Sequence, residues 1–166
     1  MFKSKQRQWT TTLDVWSPED LNASDRALLT EAHEAAAQAY APYSNFLVGG
    51  AVALEDGTVV RGSNQENMAY PSGMCGERVA VFAAGAQYPG AVMKAVAIVS
   101  PSSNALSEAF MPCGACRQVL VEAERRQKSP IRVLLQVRDE DVSISPSASN
   151  LMPFSFEAKG LGGQEG

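Results

Sequence analysis

Between positions 24 and 40, SDRALLTEAHEAAAQAY places Leu28, Leu29, Ala32, Ala36 and Ala39 on a helical period, with a Ser or Asp available to cap the first turn and Pro42 to stop the last. This pattern predicts a first helix. Residues 47–54 form an apolar run with two glycines, EDGT follows as a turn signal, and VVRGSN resumes the run, which predicts a β-hairpin turning at Asp56 and Gly57. The segment 75–86 has helical composition. AVAIV at 95–99, continuously apolar and bounded by SPSSN, reads as a buried strand. Residues 113–127 predict another amphipathic helix with Val119, Leu120 and Ala123 inward, and 131–137 a further strand. Such alternation predicts an α/β domain in which one mixed sheet is covered by helices. Residues 1–20 stand outside this pattern as an N-terminal extension, in which Leu13, Val15 and Trp16 suggest a short extended piece. Residues 21–159 form the single domain, and the tail 160–166, GLGGQEG, is expected to be disordered.

The length, 166 residues, suits one domain with one core. Apolar residues at 45% and charged residues at 19% lie near globular averages, so the chain is expected to fold. Lys and Arg total 14 against 18 Asp and Glu, a net charge of −4, without the cationic footprint that nucleic acid requires. No window approaches a membrane-spanning length, and the basic start MFKSKQRQWTTT has no apolar run behind it. The expected compartment is the cytoplasm. Thiols stay reduced there, so an odd number of cysteines reads as metal ligands or redox groups rather than a disulfide framework.

All three cysteines fall in two short segments, MCGERVA at 74–80 and PCGACRQVL at 112–120. Cys113 and Cys116 share one helix face at its first turn and can reach one ion, although the same spacing serves a redox dithiol. Adding Cys75 supplies three thiolates, which fill three of the four tetrahedral positions of zinc and leave one for water. That is the pattern of a catalytic rather than a structural site. The lone histidine, His33, lies off the apolar stripe of its helix and reads as a surface residue. Glu77, two residues after Cys75, can stand beside a zinc-bound water and move its proton to a substrate nitrogen. Its bland alternative is a glutamate at a helix N-terminus, stabilised by the dipole. Three thiolates over-compensate the metal charge, and the two helix N-termini, with Arg78 donating to a thiolate, can offset the excess.

Cys75-Gly76-Glu77 followed by Pro112-Cys113-Gly114-Ala115-Cys116 resembles the signature of the zinc-dependent nucleobase deaminases. APYSNFLVGGAV at 41–52, GSNQENMAYPSGMCGERVA at 62–80 and PCGACRQVL are similar to the homotetrameric cytidine deaminases of pyrimidine salvage. The resemblance runs from the first helix to Phe156. It implies a three-layer α/β/α fold with a mixed five-stranded sheet, and one zinc per chain held by Cys75, Cys113 and Cys116. It further implies that Glu77 shuttles protons, Asn64 and Glu66 bind the ribose hydroxyls, Phe46 lies near the base, and the Gly76 N–H contacts the pyrimidine. Phe156 would reach a neighbouring subunit's pocket, with Tyr70 lining a shared site in a homotetramer. For both phenylalanines simple core packing is the alternative. The chain departs from the family in having Gly76 where alanine is usual, and VGGA at 48–51 where VGAA is usual. The implied activity is hydrolysis of cytidine and deoxycytidine to uridine and deoxyuridine with loss of ammonia. A deaminase of another nucleoside or of an aminopyrimidine antibiotic, and a noncatalytic zinc or redox module, are the rival readings.

Overall fold

The computed structural model describes residues 5–156, so the expected disorder of 160–166 lies outside the described residues. Nine regular elements build the described residues: β1 (Asp14–Trp16), α1 (Ala23–Ala36), β2 (Gly49–Leu54), β3 (Val59–Ser63), α2 (Gly76–Gln87), β4 (Met93–Ser100), α3 (Gly114–Gln127), β5 (Arg132–Val137) and β6 (Val142–Ser145), with three short 3-10 turns between them and a fourth after β6. The strands form one mixed sheet in the order β1-β6-β5-β4-β2-β3. Only β4 and β5 run parallel, as α3 crosses between them; every other pair is antiparallel.

The period-2 alternation of side chains decides which helix each strand residue meets. From β4, Ala95, Ala97 and Val99 pack with Leu28, Leu29, Ala32 and Ala36 of α1. Val96 and Ile98 of the same strand face the opposite way, into a core with Ala80 and Val81 of α2 and Leu120 and Val121 of α3. A strand covered on both faces has no reason to alternate apolar with polar, which is why AVAIV is continuous. The layers are therefore α/β/α, as the resemblance implied.

The sheet has six strands, one more than the five expected. Asp14–Trp16 supplies the outermost one, pairing with β6. β6 itself is not picked out by the periodicity reading: VSIS is only four residues long, with Val142 and Ile144 turned into the α1 core. The hairpin turn falls where the pattern placed it, with Gly57 at φ 89°. The first helix starts one residue before the predicted span and ends at Ala36, and its cap is Asn22, not Ser or Asp: the Asn22 side chain accepts from the Asp25 N–H at 2.8 Å. His33, expected at the surface, is half-buried, its Nε2 lying 3.0 Å from Oε1 of Gln136 on β5. Val119, expected inward, is only partly buried, while Leu120 and Ala123 are buried.

Candidate active site

The two cysteine segments meet because each ends a loop at a helix N-terminus. Cys75 is the N-cap residue of α2 and Cys113 that of α3, both in extended conformation and neither using its sulfur to cap its own helix. Cys116, one turn into α3, is fully buried. The three sulfurs lie within 4.8 Å of one another, with Cys113 and Cys116 3.2 Å apart. This is the single such cluster of His, Cys, Asp and Glu ligand atoms among the described residues.

The donor set fits zinc. Zn–S bonds of about 2.3 Å in a tetrahedron put sulfurs about 3.8 Å apart, inside the observed span. The group contains no fourth protein ligand, so three soft donors leave one position to water or substrate. Charge compensation is present too. Both helix N-termini point partial positive charge at the sulfurs, and Nη2 of Arg78 is 3.7 Å from the Cys75 sulfur. The Cys75 thiol is lowered to about 5, chiefly by a hydrogen bond from Cys116 and further by Arg78, against the effect of burial. Cys116 is raised, because its proton serves Cys75 and because burial and Glu77 disfavour a second thiolate there. A metal ion would replace that shared proton.

Glu77 is 4% exposed and lines the same cavity as Cys75 and Cys113. Burial raises its carboxyl above the ordinary carboxylate range, with a hydrogen bond from Cys116 pulling the other way. A carboxyl whose protonated form is favoured by burial is suited to take up a proton and pass it on.

The cavity has a volume of about 710 Å³. Asn64 and Glu66 stand on one wall. The Asn64 amide accepts from the Val48 N–H at 2.8 Å and donates to the Phe46 carbonyl at 2.9 Å. The Glu66 carboxylate accepts from the backbone N–H of Tyr43 at 2.9 Å and of Ser44 at 3.3 Å, and from the Ser44 hydroxyl. That hydroxyl bond first, then the Tyr43 N–H, lowers the Glu66 carboxyl. Phe46 lines the cavity, and Tyr70 sits at its rim, 77% exposed. Gly76 is buried at the first position of α2. Phe156 is not among the residues that line this chain's cavity; it is 68% exposed beside α3. Sequence reading did not single out Ser44, Phe110 or Met111. Ser44 orients Glu66 through a loop contact that spacing does not reveal, whereas the place of Phe110 and Met111, directly before Pro112 and Cys113, is a signal that could have been used.

Residues 22–129 match the family model described as the cytidine and deoxycytidylate deaminase zinc-binding region. The chain belongs to the cytidine and deoxycytidylate deaminase family. It is 36% identical over 134 residues to a cytidine deaminase of Halalkalibacterium halodurans, covering 81% of this chain and 95% of that one. Its match to a cytidine deaminase of Sporosarcina psychrophila is 45% identical over 95 residues, 57% of this chain and 66% of that one. Among solved structures, a cytidine deaminase from Burkholderia pseudomallei superposes with a TM-score of 0.68 at 39% identity, covering 82% of this chain and all of that one. Cys75, Glu77, Cys113 and Cys116 all lie within the residues matched to the deaminase region.

Proposed function

We propose that this deaminase-family chain hydrolyses cytidine and deoxycytidine to uridine and deoxyuridine, releasing ammonia. The observation that carries the reading is the buried carboxyl of Glu77 in a cavity walled by Cys75 and Cys113, whose sulfurs converge with that of the buried Cys116. The relatives named as cytidine deaminases support the substrate class.

Cys75, Cys113 and Cys116 hold one zinc per chain. When bound, the zinc supplies a Lewis acid that makes a neighbouring water acidic enough to attack at neutral pH. Glu77 takes a proton from the attacking water and delivers it to N3 of the cytosine, so that C4 accepts the new C–O bond. The same carboxyl then carries the proton of the new C4 hydroxyl to the departing amino nitrogen, so that the C4–N bond breaks as the C4 carbonyl forms and ammonia leaves. Arg78 donates to Cys75 and balances the thiolate charge. The Gly76 N–H contacts the base, Phe46 packs against it, and Asn64 with Glu66 bind the ribose hydroxyls.

The cavity favours a nucleoside over a nucleotide. Arg78 is the one cationic side chain among its lining residues, and it is engaged with Cys75, while Glu66 presents negative charge. A phosphate would meet repulsion there without a partner. Tyr70 and Phe156, both largely exposed, support a homotetramer with shared sites. A cytoplasmic place in pyrimidine salvage accords with reduced cysteine ligands.

Ammonia release on mixing the zinc-loaded protein with cytidine tests the reading. Glu77→Gln is expected to keep its zinc and lose turnover by at least about a thousandfold. Substantial activity in that variant sinks the proton-carrier role, and no release by the parent sinks the substrate.

A further inference from the structure

We propose that Phe110 is a second base-contacting aromatic, acting with Phe46 to set affinity for the pyrimidine. The proposal rests on the cytidine reading above. Phe110 is half-buried and lines the cavity that holds Cys75, Glu77 and Cys113. Its ring centroid is 6.4 Å from that of Phe46, with the planes 38° apart. This lies near the outer limit for an aromatic pair, so the two rings only partly cover each other's faces. Apolar faces left in a solvent-filled cavity gain by being covered with a flat ligand.

The segment that carries Phe110 is held from both ends. The Arg138 guanidinium donates through Nη1 to the carbonyls of Ser102 at 3.1 Å and Ala105 at 3.0 Å. Its other arm pairs with Glu140, which in turn accepts from the Ser107 hydroxyl. After Phe110, the Pro112 carbonyl accepts from Nε of Arg117 at 2.8 Å, fixing the chain as it enters α3 at Cys113. The β5–β6 turn and α3 therefore place this ring before any substrate arrives. A pre-placed contact costs little ordering on binding.

The test is steady-state kinetics with cytidine for Phe110→Ala, Phe110→Leu and Phe110→Tyr, with zinc content and thermal midpoint measured alongside. A stacked or edge-on base contact predicts a KM raised about ten- to a hundredfold in Phe110→Ala. The rise is smaller in Phe110→Leu, which keeps an apolar wall without a flat face, and KM is near the parent value in Phe110→Tyr. Because Glu77 and the cysteines are untouched, kcat stays within about threefold. A KM within twofold of the parent in Phe110→Ala overturns the proposal, as do equal values for Phe110→Leu and Phe110→Tyr. A loss confined to kcat, zinc content and thermal midpoint also overturns it, because that is what a purely structural wall would give. If Phe110→Ala does not fold, the Leu and Tyr pair decides. A parent that releases no ammonia from cytidine refutes the substrate reading instead. Calorimetric titration with uridine then decides for Phe110: equal binding by parent and Phe110→Leu, or no binding by the parent, overturns it.

Discussion

A Cβ built on Gly76 would stand 2.7 Å from the Val48 carbonyl oxygen and 3.2 Å from the Asn64 amide nitrogen. The neighbours are backbone atoms, so neither can rotate away. Gly50, the other departure from the family pattern, lies on the same contact: a Cβ there would be 3.0 Å from the Glu77 Cα and 3.1 Å from the Gly76 carbonyl oxygen. From sequence, Gly76 read as a lost methyl and added freedom at a helix start. In the structure it is a close approach of α2 to the backbone just before β2 and just after β3, with no room for the methyl. Gly76→Ala therefore does not restore an optimum here. It is expected to push the first turn of α2, with Cys75 and Glu77 on it, away from the sheet, at a cost of about 1–3 kcal/mol in stability and at least about tenfold in kcat. Thermal unfolding and cytidine turnover measure the two together. A variant as stable and fast as the parent would mean that the Val48–Asn64 backbone yields freely.

At the scale of elements, Glu124 shows what periodicity does not reach. A glutamate four residues after Leu120 on α3 is an unremarkable polar position by pattern, yet it is 8% exposed. Its carboxylate accepts from the backbone N–H groups of Ile131 at 2.8 Å, Ala148 at 2.7 Å and Ser149 at 3.1 Å, and from the Ser149 hydroxyl. It thus joins α3 to the residue just before β5 and to the turn after β6, satisfying donors that would otherwise be orphaned in the core. Glu124→Ala is expected to cost about 3 kcal/mol or more, lowering the thermal midpoint by roughly 6–12 °C. A change under about 2 °C in the zinc-loaded protein would show that water replaces the carboxylate without penalty. The helices, the hairpin and the central strands were legible because their periods are long and their cores two-sided. β6 and the Asn22 cap were not, since each depends on a partner distant in sequence or on one side chain's choice of acceptor. The cysteine cluster was legible for the opposite reason: soft ligands are rare, so two short segments suffice to predict that they meet.

For the whole molecule, the instructive residue is Phe156. Its backbone is pinned to α3: its N–H donates to Oε1 of Gln118 at 3.1 Å, and its carbonyl accepts from Nε2 of Gln118 at 3.3 Å and from Nη1 of Arg125 at 3.1 Å. The residue nonetheless remains 68% exposed. A fixed backbone with its aromatic side chain in solvent is what the shared-site proposal requires of Phe156. Removing the segment from Leu151 onward would be a poor test. Leu151 and Met152 pack on the chain's own core, and the Leu151 carbonyl accepts from Arg117 at 3.1 Å. Phe156→Ala spares both contacts. If the proposed homotetramer shares its sites through this ring, the variant is expected to keep its zinc content while lowering cytidine turnover about tenfold and shifting the protein toward smaller species. Light scattering and turnover must be measured on the same samples, because the shared-site reading requires the two losses to rise and fall together with protein concentration. A variant that stays fully assembled but slow would place the ring at the substrate alone. One that is fully active as a monomer would remove the partner from the site altogether.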